Sequence, residues 1–212
     1  MTFFDGWFWT FYVIALVLGV ILHEVMHGVV ANAFGDPTAK EAGRLTLNPI
    51  RHIDPFGTII LPGILVAASA LGTGGIVFGY AKPVPVNSSN LRNPRHQMLA
   101  VSLAGPFTNL LLAGLGALLI QAAQPVSFRT FQFAAAWVLL NVVVFVFNML
   151  PLPPLDGSEL VAWILPGPAR TVYRRISPYG FAILFVILFA FPTVLSGVMD
   201  PVIETLLSVL LG

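Results

Sequence analysis

The chain has 212 residues, of which 57% are hydrophobic and only 9% are charged, and its formal net charge at pH 7 is +1. These proportions leave too little polar surface to cover a soluble globular domain, so they indicate a polytopic membrane protein. The few lysines and arginines form no patch of the kind that binds nucleic acid. The absence of cysteine excludes disulfides, thiolate metal ligands and cysteine nucleophiles.

The first long apolar segment, residues 7–34, is predicted to form one membrane-spanning helix. It contains His23-Glu24-x-x-His27, which matches the H-E-x-x-H pattern of zinc hydrolases. Histidines four residues apart lie on one face of a helix and can hold a single Zn²⁺, and Glu24 then lies where a carboxylate can take a proton from a zinc-activated water. Each charged or polar group at mid-bilayer costs about 2.5–3.5 kcal/mol, so three in five residues favour catalysis over a helix-packing histidine pair with an ion-paired glutamate.

The remaining chain alternates between turn-rich loops and apolar segments. Residues 40–57 are polar and rich in turn formers, and a brief alternation at 44–47 predicts short extended pieces or a hairpin at the membrane face. Residues 58–79 are apolar but interrupted by prolines and glycines, which suggests a bent or re-entrant segment. Further spans are expected at 95–121, 131–150, 179–191 and 194–211.

The expected fold is an all-α polytopic membrane protein with about five to six transmembrane helices, a re-entrant segment and a short β hairpin at the membrane face. Residues 1–212 are expected to form one domain, with its core at 7–157 and C-terminal helices at 176–212. If 58–79 is re-entrant, nine of the ten lysines and arginines lie on one side of the membrane; if it crosses, they divide 4 against 6. The positive-inside rule therefore favours a re-entrant segment, cytoplasmic basic loops and an active site nearer the cytoplasmic side.

Two histidines leave a catalytic zinc one protein ligand short. The candidates for the third ligand are His52, Asp54, His96 and Asp156. Asp156 is favoured because it follows a span, lies beside prolines and returns to the side on which the histidines lie, although Asp-Gly is also an ordinary turn pair. Asn109 and Asn148 lie in spans, where each amide either contacts a substrate carbonyl or developing oxyanion or makes an interhelical hydrogen bond; the residues alone leave both open.

Three motifs occur in order within apolar segments: His23-Glu24-x-x-His27, Ala104-Gly105-Pro106-x-x-Asn109 and Asn148-x-x-Pro151-x-Pro153-Pro154-Leu155-Asp156-Gly157. Together they resemble the site-2 proteases, the intramembrane zinc metalloproteases of peptidase family M50. The sequences around Arg44-Leu45-Thr46-Leu47-Asn48-Pro49 and Lys82-Pro83-Val84-Pro85-Val86-Asn87 are similar to those of its compact prokaryotic subgroup, which lacks PDZ and CBS domains. The resemblance covers about residues 21–157.

The resemblance implies an intramembrane metalloendopeptidase with one Zn²⁺ per chain. It implies that His23, His27 and Asp156 are zinc ligands, that Glu24 is the general base, and that Asn109 and Asn148 position substrate or stabilise an oxyanion. The expected partners are a transmembrane protein substrate and the lipid bilayer, with no nucleic acid, in a multi-pass protein of a prokaryotic plasma membrane. The alternatives are a membrane metal transporter or metal-binding regulator, and a catalytically silent scaffold for transmembrane helices. A transporter does not explain Glu24.

Overall fold

A computed structural model of the protein describes residues 4–68, 79–122 and 127–212. In chain order its α-helices are α1 (Gly6–Ala33), α2 (Thr38–Glu41), α3 (Leu61–Ala68), α4 (Pro94–Ala122), α5 (Phe128–Asn148), α6 (Gly157–Ile164), α7 (Gly167–Ile176), α8 (Gly180–Ala190) and α9 (Pro192–Leu211). Tight helical turns at Pro49–His52, Ser88–Asn90 and Ser177–Tyr179 and a wide turn at Pro55–Ile60 connect them.

Five helical stretches are long and apolar enough to cross a membrane: Gly6–Ala33, Pro94–Ala122, Phe128–Asn148, Gly167–Ala190 and Pro192–Leu211. They confirm the prediction of an all-α polytopic membrane protein. The fourth stretch joins α7 to α8 and begins well before the predicted boundary at residue 179. Its early part carries arginines, including Arg174 and Arg175. A boundary drawn from hydropathy therefore leaves out this charged part, although it is helical.

The core is formed by α1, α4 and α5, which pack on one another, with α9 against α4 and α5 and α8 against α9. Small buried residues of α4, such as Ala113 and Ala117, belong to the same buried apolar cluster as Val138 and Val142 of α5. Small side chains let helices approach closely in lipid, where packing rather than the hydrophobic effect holds them together. The outward faces carry exposed large apolar side chains, for example at Leu111 and Leu118–Leu119 of α4, as a lipid-facing surface requires.

The N-terminal ends of α1 and α5 lie side by side. Asp5 caps α1 by accepting hydrogen bonds from the N–H groups of Trp7 and Phe8, and it forms an ion pair with Arg129 in the first turn of α5 at 2.7 Å. The hydrogen bond from Arg129 holds the pKa of Asp5 below its usual range. Because the two helices start together, the C-terminal half of α1 and the loop after α5 meet at the other end of the bundle.

The predicted β hairpin at 40–57 is absent: no residue in the described ranges lies in a strand. Gly43 has a φ of +63° and ends α2, and the Arg44 N–H bonds back to Ala39 O. Asn48 then caps a helical turn by accepting a hydrogen bond from the Ile50 N–H. Prolines at the start of the two following turns remove N–H groups that a ladder needs, so the alternation at 44–47 is too short to prevail.

The segment after this loop is helical where it is described. Residues Pro55–Ala67 form an apolar helical stretch that is shorter than a full span. Residues 69–78, on which much of the predicted re-entrant segment depends, lie outside the described residues. The prediction for 58–79 therefore stays a prediction.

Candidate metal centre

Three ligand-type side chains converge where the C-terminal half of α1 meets the loop after α5. His23, His27 and Asp156 each offer one ligand atom, and these atoms lie within 4.8 Å of one another. Asp156 Oδ2 lies 3.1 Å from His23 Nε2 and 3.4 Å from His27 Nε2. Both imidazoles are buried, with 5% and 9% exposure. The structure thus brings together the three residues that the sequence singled out as a metal site.

Hydrogen bonds at the other ring nitrogens orient both histidines. His23 Nδ1 lies 2.6 Å from Asn109 Oδ1, and His27 Nδ1 lies 2.7 Å from Val101 O. A carbonyl oxygen only accepts, so the Val101 contact requires the proton of His27 on Nδ1. With the Asn109 oxygen facing His23, the same tautomer is set there, and both Nε2 lone pairs point toward Asp156.

Asp156 is placed by a tightly folded loop. After α5 the chain makes close turns, with Leu152 N–H bonded to Leu150 O and Leu155 N–H to Leu152 O, both at 2.8 Å. Asp156 occupies the N-cap position of α6 but makes no side-chain capping bond, so its carboxylate faces the imidazoles instead.

Gly105 of α4 leaves the space that the two imidazoles occupy. A Cβ added at this position would meet Nε2 of both His23 and His27, at 2.6 Å from the former. Real Cβ atoms do not approach other atoms so closely. The glycine is therefore required by close approach of the metal-binding face of α1 to α4.

The donor set and its dimensions fit zinc. Ligand atoms about 2.0–2.2 Å from a tetrahedral Zn²⁺ lie about 3.3–3.6 Å from each other, and the separations of 3.1 and 3.4 Å from Asp156 Oδ2 to the two imidazoles are close to this spacing. Two imidazoles and one carboxylate form the type of ligand set that catalytic zinc uses with one position left open. The hydrogen bonds at both Nδ1 atoms complete the arrangement expected around metal-binding histidines.

Glu24 lies next to His23 on α1 and contacts a segment from elsewhere in the chain. Its Oε2 accepts a hydrogen bond of 2.8 Å from the N–H of Val84. Residues 81–87, called the strap below, belong to neither a helix nor a strand, and prolines flank Val84 on both sides. The strap is fixed at each end, since Lys82 N–H bonds to His52 O and Asn87 N–H to Asp36 Oδ2. The position of the Glu24 carboxylate therefore depends on the strap.

Asn109 is completely buried and belongs to a network of amides across the three core helices. Its Oδ1 faces His23, and its Nδ2 donates to Gly19 O at 3.2 Å and Asn141 Oδ1 at 2.8 Å. Asn141 in turn donates to Trp137 O on its own helix. Both N–H groups of the Asn109 amide are thus occupied by acceptors from α1 and α5.

The other candidates make local bonds. Asn148, half-buried, donates to Val144 O of its own helix. His52 Nε2 bonds to Thr46 O, Asp54 caps the turn after it through the N–H groups of Phe56 and Gly57, and His96 Nδ1 accepts from Trp163 Nε1. Among the described residues, the three-ligand cluster contains none of His52, Asp54 and His96.

Sequence reasoning missed the partners that orient the ligands. Val101 O, which faces His27, and the Val84 N–H, which donates to Glu24, are backbone atoms. Every residue type has the backbone oxygen, and every type but proline has the N–H. The sequence shows Asn141 as a polar residue in a span, where a buried amide requires hydrogen-bond partners, but it does not indicate which partners these are. Gly105 was visible within the Ala104-Gly105-Pro106 motif, but its contact with the imidazoles depends on how α1 and α4 pack.

Comparison with known proteins gives a consistent result. Residues 11–130 and 120–191 match the sequence model of peptidase family M50. The "Putative zinc metalloprotease YwhC" of Bacillus subtilis is 43% identical over 188 residues, covering 85% of this chain and 80% of that protein. The "Putative zinc metalloprotease Rip2" of Mycolicibacterium smegmatis is 30% identical over 81% of this chain. The protein of the same name from Mycobacterium tuberculosis is 32% identical over 84% of this chain.

The coverage of these relatives is unequal. The chain spans 64% and 65% of the length of the two Rip2 proteins, so each has a third of its length outside the match. No solved structure matches the chain at a significant level.

Proposed function

The chain belongs to peptidase family M50, the site-2 protease family, and is a multi-pass zinc metalloprotease; from that premise we propose that it hydrolyses peptide bonds of transmembrane proteins with Glu24 as general base. The observation that carries the proposal is the convergence of His23 Nε2, His27 Nε2 and Asp156 Oδ2. A fourth ionisable group, Glu24, lies next to His23 on α1. A site that only stores or senses metal has no use for that carboxylate.

The ligands of the proposed enzyme are His23, His27 and Asp156. The chemistry that Zn²⁺ supplies, when bound, is Lewis acidity, which lowers the pKa of a water to about 7 and polarises a carbonyl group. The protein holds both imidazoles as Nε2 ligands through Asn109 Oδ1 and Val101 O. Their burial excludes bulk water from the ligand atoms.

Glu24 has the role of proton acceptor and then donor. One carboxylate oxygen, Oε2, is held by the Val84 N–H, which fixes the plane of the group while the carboxylate keeps a second oxygen for a water or an amine. In the proposed cycle Glu24 takes a proton from the attacking water and delivers it to the leaving nitrogen of the peptide. The hydrogen bond to the strap orients this base.

The two asparagines receive different roles. Asn109 positions His23, because its oxygen and both its N–H groups are engaged by His23, Gly19 and Asn141. Asn148 remains the candidate for contact with a substrate carbonyl or oxyanion, since its described bond is to the carbonyl of Val144 one turn earlier and an amide has a second N–H to donate.

A transmembrane substrate is favoured by the depth of the site. His23 and His27 lie within α1, a helix of 28 residues that is apolar enough to span a membrane. A peptide that reaches them must leave its own helix, since helical peptide groups are already hydrogen-bonded. The loops that carry most of the positive charge adjoin this end of the bundle, which supports a cytoplasmic orientation in a plasma membrane.

Replacement of Glu24 tests the proposal. Purified wild-type protein, Glu24→Gln and Glu41→Gln, an exposed acid of α2, are incubated in detergent with a panel of transmembrane peptides, and their zinc content is measured. Wild type and Glu41→Gln should cleave; Glu24→Gln should lose about 10²-fold to 10⁴-fold in rate, as expected for removal of a general base, and keep its zinc. Undiminished cleavage by Glu24→Gln would exclude Glu24 as base, and zinc transport surviving in that variant would favour the transporter.

A further inference from the structure

A basic cavity lies outside the metal centre, between the loop that follows α2 and the strap. It has a volume of about 550 Å³ and is lined by Arg44, Arg51 and Lys82 together with Asn48, Ile50 and Ile53. No aspartate or glutamate lines it. Three cations thus share one cavity without a carboxylate among its lining residues.

Arg44 is the buried cation of this group. It is only 6% exposed, and one of its terminal nitrogens donates to Lys82 O at 2.6 Å. Among the residues that the structure describes, none provides an acceptor for its buried Nε–H. Within the described ranges, no carboxylate lies within 4.0 Å of Arg44, Arg51 or Lys82. The Arg44 guanidinium therefore lacks a counter-charge in this part of the chain, and its Nε–H lacks a hydrogen-bond acceptor there.

A buried, unpaired guanidinium is costly unless an anion satisfies it. Removing a cation from water carries a penalty of several kcal/mol that opposite charge and hydrogen bonds must offset. The arginine fork matches the oxygens of a phosphate, and a second arginine and a lysine add charge without a fixed geometry. The lining of this cavity has the composition of an oxyanion site.

We propose that the Arg44–Arg51–Lys82 cavity binds a phosphate group. The exposed cations Arg51 and Lys82 contact the tetrahedral anion, and the nearby charge of Arg44 adds to the attraction. Ile50 and Ile53 at the same cavity are 73% and 38% exposed, so apolar surface adjoins the cations. That combination accommodates either the headgroup phosphate of an anionic phospholipid or a free phosphate.

A purely structural role for Arg44 makes a different prediction. If Arg44 serves only to hold the strap through Lys82 O, then Arg51 and Lys82, whose side chains are exposed, should not affect any ligand. In the proposed site they contribute charge to one anion. Their removal therefore tests the site without disturbing the buried guanidinium or the fold.

Binding is measured on the full-length Glu24→Gln protein, so the result does not depend on proteolysis. Thermal stability is titrated with sodium phosphate against sodium chloride at equal ionic strength, and retention of phosphatidylglycerol is compared with that of phosphatidylcholine by native mass spectrometry. Phosphate or phosphatidylglycerol should bind in preference to its control. The Arg51→Gln/Lys82→Gln variant should bind about tenfold more weakly or worse, the loss expected for charge-assisted bonds.

The matched control is Arg92→Gln/Arg175→Gln, which removes two exposed cations elsewhere and should bind like the parent. Preference for phosphatidylglycerol with no effect of inorganic phosphate assigns the site to a lipid headgroup; the reverse assigns it to a free phosphate. The proposal is overturned if neither probe binds preferentially, if both double variants lose binding equally, or if an acidic peptide displaces phosphate at lower concentration.

Discussion

His23 Nδ1 and Asn109 Oδ1 are 2.6 Å apart, joining α1 to α4 at a point that neither helix exposes to solvent. The contact fixes the histidine ring, and the Asn109 amide is itself held by Gly19 and Asn141. The proposed metal ligand His23 is thereby connected to the packing of all three core helices. The metal centre and the helix core are one structural unit.

Asn109→Ala should weaken zinc binding about 10-fold to 100-fold, because His23 loses the acceptor that sets its tautomer. Asn109→Asp keeps an acceptor and should retain most of the affinity. Zinc affinity is measured by competition with a chromogenic chelator. Asn148→Ala serves as control and should bind zinc like wild type. Full zinc affinity in Asn109→Ala, combined with loss of cleavage, would show that Asn109 acts on substrate instead.

Gly105→Ala should lose zinc, because the new methyl group would occupy the space of both ligand nitrogens. The matched control is Gly114→Ala on the same helix, where an added Cβ meets no atom within 4 Å. Both variants gain equally in helix propensity, so any difference reflects the contact with His23 and His27. Metal analysis after purification should give about one zinc per chain for Gly114→Ala and a large deficit for Gly105→Ala. Equal zinc contents would contradict the packing described here.

Val84→Pro should lower the rate of peptide cleavage by about tenfold while leaving zinc bound, because it removes the N–H that holds Glu24. Val84→Ala keeps that N–H and loses only side-chain packing. Comparing the two variants separates the hydrogen bond from the burial of the valine, which is 8% exposed. If Val84→Ala is as slow as Val84→Pro, the side chain rather than the N–H positions the base.

The elements that could be predicted from sequence carry a local signature. The spacing of His23 and His27 and the hydropathy of the spans indicate a helix in a membrane directly. Asp156 was favoured because it lies in a proline-rich loop that follows a span. The hairpin at 40–57 failed because a brief alternation competes with proline and asparagine caps that favour helical turns. Contacts made by backbone atoms, such as Val101 O with His27, leave no mark on residue type.

Asp36→Asn should lower the melting temperature at neutral pH, and the loss should disappear in acid. Asp36 is fully buried after α1; burial opposes its ionisation, but hydrogen bonds from Thr38, Asn90 and the Asn87 N–H outweigh it and hold its pKa below the ordinary value of 3.8. A depressed pKa stabilises the folded state fully above 3.8 and loses this effect as the pH falls through the lower folded value. Melting temperatures of wild type and Asp36→Asn should therefore differ most near pH 7 and converge below 3.8. Glu41→Gln, at an exposed position of α2, should match wild type at neutral pH. A gap between wild type and Asp36→Asn that stays constant down to the lowest pH would mean that the bonds to Asp36 do not depend on its charge.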